Sequence, residues 1–342
     1  MHQILFPLAL EYHLKSRPLE VSNTACQWAK IYARGDRKFK NDDVTAITGK
    51  DEGMKKMFLE LYNTHIGSET SSVACTGADL HSYASLEFAV SELNKKRKEK
   101  LFLLFEYLRD QGWEVGSALG STDHEMNNNG AGFTHSLFLL RKELEEAGRL
   151  ESYIDTLKYY SDFNEVYQTV FEYKGTTADR MRTVLIYRLI AALMMPEEAP
   201  GMASRPKALA KVRDMEHWRR WFNNALQINK GLGGVIKADY TCFHHHTFYG
   251  SAYGPHAIHM AALVSYLTEG TSFGILESQR NNLQKALDVL KIASVKYSTP
   301  NSIGGRFPGY SKGILAKTAP AFAYLALTVP QLEVISLFYS HF

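Results

Sequence analysis

The chain of 342 residues is 45% hydrophobic and 22% charged, with a formal net charge of +3, a composition that excludes a disordered or fibrous protein and indicates a folded globular one. So small a basic excess does not indicate a nucleic-acid partner, although it permits a local basic groove for a polyanion. No stretch approaches the roughly 20 apolar residues that a bilayer-spanning helix needs, so no membrane insertion is expected.

In chain order, the opening MHQILFPLALEYHLKSRPLE has a short apolar run but neither a basic leader nor a small-residue cleavage site, and does not read as a signal peptide. Cys26, Cys75 and Cys242 are far apart and lack CxxC spacing, so neither a disulfide framework nor a cysteine zinc site is expected, and the three are read as buried or free thiols. Leu101, Leu104, Phe105 and Leu108 follow the i, i+3, i+4, i+7 rule of an amphipathic helix that Gly112 can stop. The same period recurs at Phe133, Leu137, Leu140 and Leu144. It returns at Met181, Val184, Leu185, Leu189 and Ala192, with Thr177 as cap and Pro196 as terminator. Leu283, Ala286, Leu287 and Leu290 repeat it, and a last helix runs over Ala319 to Leu327 until Pro330. Strand signals are nearly absent before the final ten residues. The chain is therefore expected to be all-α, built of antiparallel helical hairpins. With no short repeat period visible, an incomplete α/α toroid is favoured over a solenoid.

Chemistry is expected on the three longest polar loops, LGSTDHEMNNNGAG, ADYTCFHHHTFYGSAYG and NSIGGRFPGYSK. The histidine-rich loop allows three readings: a metal site, a proton-transfer site, or a solvated loop without a task. His244, His245, His246, His256 and His259 could supply three zinc ligands. However, HExxH is absent, His124 and Glu125 are adjacent rather than spaced along a helix face, and no carboxylate accompanies the run, so no metal is expected. Taken singly, Tyr249 and Tyr253 read as packing rings and Arg306 as a surface charge beside Gly304 and Gly305.

Taken together, the order of Asp239, Thr241, His245 and Tyr253, followed by a helix and then Arg306 in IGGRFP, resembles the catalytic stretch of the family 8 polysaccharide lyases, which cleave chondroitin and hyaluronan, and in particular of the chondroitin sulfate ABC lyases. SYLTEGTSFGILESQRNNLQKAL and AKTAPAFAYLAL are similar to the helices around that stretch, and HEMNNNGAGFTHSLFLL to the helix entry at the substrate cleft. The resemblance covers roughly residues 80 to 330. It implies catalytic roles for His245, Tyr253 and Arg306, with Asn127, Asn128, Asn129, His244, His246, Tyr249 and Tyr310 binding substrate. It also implies a secreted or periplasmic monomer that acts on an acidic polysaccharide and needs no cofactor.

Three departures stand out. One residue is inserted before Tyr253, which keeps His246 open as the alternative to His245. GTTADRM stands where some relatives carry a neutralising Asn, so that role has no clear owner. Family members are longer and end in β-sandwich domains that add a Glu to the cleft. Residues 1–330 are thus expected to form the toroid domain, and 331–342 to begin or replace the β region.

The implied chemistry is β-elimination: the uronic acid carboxylate is neutralised by His245 and Arg306, and Tyr253 takes the C5 proton and returns one to O4. A phenol that ordinarily titrates at about 10 becomes a usable base beside positive charge. Hydrolysis would need two carboxylates flanking the bond, and these loops offer only Asp123, Glu125 and Asp239. An α/α-toroid hydrolase and a weakly active or inert carbohydrate-binding fragment are the alternatives. Lys312 and Lys317, near Phe307 and Tyr310, could add charge for sulfated sugars.

Overall fold

The structure, a computed structural model, describes residues 1, 3–15, 26, 29, 44–45, 48, 51–65, 84–117, 130–168, 176–196, 205–295, 298–305, 307, 309 and 315–328. The chain divides into two units, 2–111 and 112–342, the second including Met1. The described residues are predominantly helical, as the apolar periods predict.

The first unit holds α1 (Leu5–Lys15), α2 (Glu52–His65) and α3 (Ala84–Asp110). Asp51 caps α2 by accepting from the N–H groups of Gly53 and Met54 at 3.0 and 3.1 Å, satisfying donors that the first turn leaves free. α1 lies on α3, where Arg97 donates to Glu11 at 2.9 Å. Leu101 and Phe105 of the expected stripe are buried in α3. Cys26 corrects the sequence reading: it is disulfide-bonded, a pairing that the wide spacing of the cysteines did not reveal.

The second unit holds α4 (Ala131–Leu139), α5 (Arg141–Glu146), α6 (Leu150–Tyr160), a 3₁₀ turn (Phe163–Tyr167), α7 (Ala178–Arg182), α8 (Val184–Met194) and α9 (Arg205–Ala225). A hairpin of β1 (Phe243–His244) and β2 (Thr247–Phe248) follows, then α10 (Tyr253–Thr268), α11 (Glu277–Ile292) and α12 (Leu315–Thr328). The stripe Phe133, Leu137, Leu140 and Leu144 is fully buried, but Leu140 (φ −99°, ψ 10°) divides it between α4 and α5. Likewise Thr183 (φ −125°, ψ −77°) separates α7 from α8, while Thr177 caps α7 as expected, accepting from the Arg180 N–H at 3.3 Å.

α8 and α10 form the centre of this unit. α8 is buried nearly all round and packs against α4, α6, α7, α9 and α10. α10 is covered by α7, α8, α11 and α12. An apolar helix enclosed on every side must satisfy its few polar groups internally. Arg188 of α8, fully buried, does so through Nε and Nη2, pairing with Glu165 at 2.7 Å and donating to the carbonyls of Ser161 and Asp162 at 2.9 and 2.8 Å, while Nη1 is buried without a hydrogen-bond partner among the described residues. Arg180 of α7 also pairs with Glu165, and reaches Asp162 at 3.1 Å. The 3₁₀ turn, α7 and α8 are therefore tied together by charge immediately beside the residues described next.

Candidate active site

The histidine-rich loop folds into a tight hairpin. Phe243 pairs with Phe248 and His244 with Thr247, leaving His245 and His246 as the two-residue turn. Both have left-handed backbone, φ 48° and 63°, the geometry that two-residue hairpins require and that most residues resist. Asp239 and Thr241, two members of the family-like pattern, shape the approach to the hairpin: Asp239 Oδ1 accepts from the Thr241 N–H at 3.1 Å and from its hydroxyl at 2.6 Å. This is an Asx-type turn, and Thr241 holds the Asp239 carboxyl below its ordinary range.

From this hairpin the three histidines face different surroundings. His245 and His246 are exposed at the tip, whereas His244 is 7% exposed. The His244 ring lies 4.2 Å from that of Tyr253, and the His245 ring lies 6.0 Å from it, centroid to centroid. Tyr249 is buried and edge-on to Tyr253 at 5.2 Å.

Tyr253 opens α10, and Gly254 explains how the helix can start so close to the hairpin. A Cβ at Gly254 would run into the carbonyl oxygen of Tyr249 and the side chain of Cys242. The third loop docks on the same rings: Gly250 N–H donates to Ile303 C=O at 2.8 Å. Gly305 (φ 59°) presses on the Tyr249 ring where any Cβ would clash, and Phe307 sits 5.6 Å from Tyr253. Arg306, between them in sequence, lies outside the described residues, as do Tyr310, Asn127, Asn128 and Asn129. The structure thus brings together His244, His245, Tyr249 and Tyr253 of the residues singled out by sequence.

It adds two that the sequence reading gave no role. Asp179 and Arg182, both on α7, lie against this cluster. Arg182 Nε and one terminal nitrogen donate to Asp179 Oδ1 at 2.8 and 2.7 Å, and the guanidinium carbon is 5.0 Å over the Tyr253 ring, within cation–π range. Asp179 Oδ2 is 3.3 Å from His244 Nε2. That nitrogen is sealed from solvent, and a carboxylate oxygen facing it favours a proton on Nε2. Burial would raise the Asp179 carboxyl, but His244 and Arg182 prevail and hold it down to about 2. GTTADRM and the Arg182 that follows it were the signal for these residues, yet an Asp and Arg three apart on a helix ordinarily read as a surface pair.

A cavity of about 330 Å³ opens beside the hairpin between Thr176, Thr177, Asp179 and the three histidines, a size suited to a small ligand group. Cys242 beneath the hairpin is a buried free thiol whose pKa burial pushes up to about 12, which leaves it unreactive. Among the described residues no cluster of His, Cys, Asp or Glu is placed to hold a metal ion.

Residues 78–331 match the family described as "Lyase, catalytic". The chain belongs to this catalytic lyase family. The matched span contains α7, the hairpin and α10, so the site lies within the lyase region. Among curated proteins the chain is similar to a chondroitin sulfate ABC exolyase of Bacteroides thetaiotaomicron, 28% identical over 220 residues, covering 64% of this chain and 20% of that protein. It is also similar to a chondroitin sulfate ABC endolyase of Proteus vulgaris, 26% identical over 263 residues, covering 73% of this chain and 24% of the other. An exolyase of Proteus vulgaris matches at 24% over 221 residues, or 64% of this chain and 21% of that protein. The lyase-family chain therefore spans about a fifth to a quarter of the length of these relatives.

Proposed function

We propose that this chain is the helical catalytic domain of a glycosaminoglycan lyase, an incomplete α/α toroid that cleaves chondroitin or dermatan sulfate, or hyaluronan, by β-elimination at a uronic acid. The observation that carries the reading is the placement of the Tyr253 phenol among two imidazoles and a guanidinium, within a chain of the lyase family.

Elimination needs the uronate carboxylate neutralised so that its C5 hydrogen becomes acidic, a base for that hydrogen, and an acid for the leaving oxygen. His245, exposed at the hairpin tip, meets the substrate carboxylate together with Arg306. Tyr253 removes the C5 proton; the electron pair forms the C4=C5 double bond as the C4–O4 bond breaks, and the phenol returns a proton to O4. No cofactor enters. His244 supports Tyr253 from within the fold, and His246, Tyr249, Tyr310 and the Asn127 to Asn129 run contact the neighbouring sugars.

Hydrolysis by a carboxylate pair fits less well, because the two carboxylates described at this site are already engaged, Asp179 by Arg182 and His244 and Asp239 by Thr241. The disulfide at Cys26 supports an oxidising, exported location. Incubation with chondroitin sulfate followed by product analysis tests the function: elimination leaves an unsaturated uronate that absorbs in the ultraviolet and adds no solvent oxygen. Saturated products carrying oxygen from labelled water would establish a hydrolase instead.

A further inference from the structure

The Asp179 carboxylate divides its two oxygens between groups that flank the same phenol. Oδ1 holds Arg182, whose guanidinium lies over the Tyr253 ring. Oδ2 faces the sealed Nε2 of His244, whose ring lies within 4.2 Å of Tyr253 by centroid. A surface i,i+3 pair would make the first contact only, and would be worth little. Here the carboxylate, arginine and imidazole are each at most a quarter exposed, and short α7 is itself anchored by Arg180 to the Glu165 cluster. The break at Thr183, whose hydroxyl donates to the Asp179 carbonyl at 2.7 Å, ends α7 directly after Arg182.

We infer that Asp179 and Arg182 are positioning residues of the elimination site: Arg182 supplies the fixed positive charge that favours the phenolate of Tyr253, and Asp179 sets both Arg182 and His244 against that ring. The inference rests on the lyase reading above. Arg182 is preorganised for it, because a guanidinium keeps its charge at any working pH and its planar fork is fixed by the carboxylate. A charge already in place needs no rearrangement as negative charge develops on the phenol oxygen. Among the described residues the ring is also met by His244, His245, Tyr249 and Phe307, and His256, one turn along α10, feels both Arg182 and Lys317 of α12. Arg182 is a permanent cation over the ring.

The test is steady-state cleavage of chondroitin sulfate by this chain and its Arg182→Gln, Arg182→Lys, Arg182→Ala and Asp179→Asn variants, alongside thermal melting. Arg182→Gln and Asp179→Asn are expected to lower kcat on the order of 10²-fold with KM changed less than about threefold, since neither side chain is assigned to hold sugar. Arg182→Lys keeps part of the activity, and millimolar guanidinium partly restores Arg182→Ala, which a purely structural role would not allow. Wild-type kcat in Arg182→Gln, or a loss confined to KM, overturns the inference while leaving the lyase reading intact. Variants that melt early and are not rescued also overturn it, in favour of a structural role. A wild-type chain that gives no unsaturated product overturns the lyase reading, and this inference with it.

Discussion

His244 and His245 are neighbours in the chain with opposite surroundings, one sealed against Asp179 and the other at a solvent-exposed turn. The sequence made the run of histidines conspicuous but could not separate its members, because their environments depend on the two left-handed residues of the turn, which the letters HHH do not announce as Asn-Gly would. Tyr253 was singled out through its order after Asp239, Thr241 and His245; Asp179 and Arg182 were not, because the His244 and Tyr253 rings they face lie far away in the chain. His256, one turn beyond Tyr253, makes a prediction at this scale. Burial, with Lys317, Arg182 and His259 nearby, lowers its pKa from 6.5 to about 4. Between those values the unfolded chain binds the proton and the folded chain does not, so stability falls as pH falls through this window. The loss is on the order of 2 kcal/mol, reduced by the partial exposure of the ring. His256→Asn is expected to flatten that slope, as read from urea midpoints at the two ends of the window; an unchanged slope would show that His256 titrates normally.

Helices α3, α8 and α11 were readable because their apolar residues repeat at the helical period; in α8 and α11 these residues are buried, and in α3 Leu101 and Phe105 are buried while Leu104 and Leu108 are half-buried. Their interruptions were not. The stripes through Leu140 and Thr183 continue in sequence without a glycine or proline, so nothing in the letters marks the non-helical backbone at those two residues. The hairpin escaped notice because strands of two residues carry no alternation. The junction of α7 and α8 depends on the buried Arg188–Glu165 pair. Burial lowers the Arg188 pKa while Glu165 opposes that shift, so removing Glu165 leaves a fully buried guanidinium without its counter-charge. Glu165→Gln is expected to destabilise the chain by about 3–5 kcal/mol, measured by chemical denaturation; a change near zero would mean that the Ser161 and Asp162 carbonyls alone satisfy Arg188. Gly254→Ala tests the other junction. With no room for a methyl group between the hairpin and α10, it is expected to cost about 1–3 kcal/mol and to lower activity, whereas unchanged melting and turnover would show that the hairpin can shift freely.

At the scale of the whole molecule, the all-α class followed from the helical period and the scarcity of strand signals, and the family resemblance from the order of Asp239, Thr241, His245 and Tyr253 ahead of Arg306. The disulfide at Cys26 was not legible, because widely spaced cysteines carry no pairing information. Since the proposed chemistry runs through a phenol, imidazoles and guanidinium groups, treatment with a chelator is expected to leave activity unchanged; loss on chelation that zinc reverses would assign the histidines to a metal instead. The most direct measurement of the central claim compares the chain with its Tyr253→Phe variant on chondroitin sulfate, following unsaturated product and, separately, oligosaccharide binding. Removing the one phenolic oxygen is expected to lower product formation by at least about 10²-fold while the retained ring keeps binding within about threefold. Product formation at the wild-type rate by Tyr253→Phe would contradict the account.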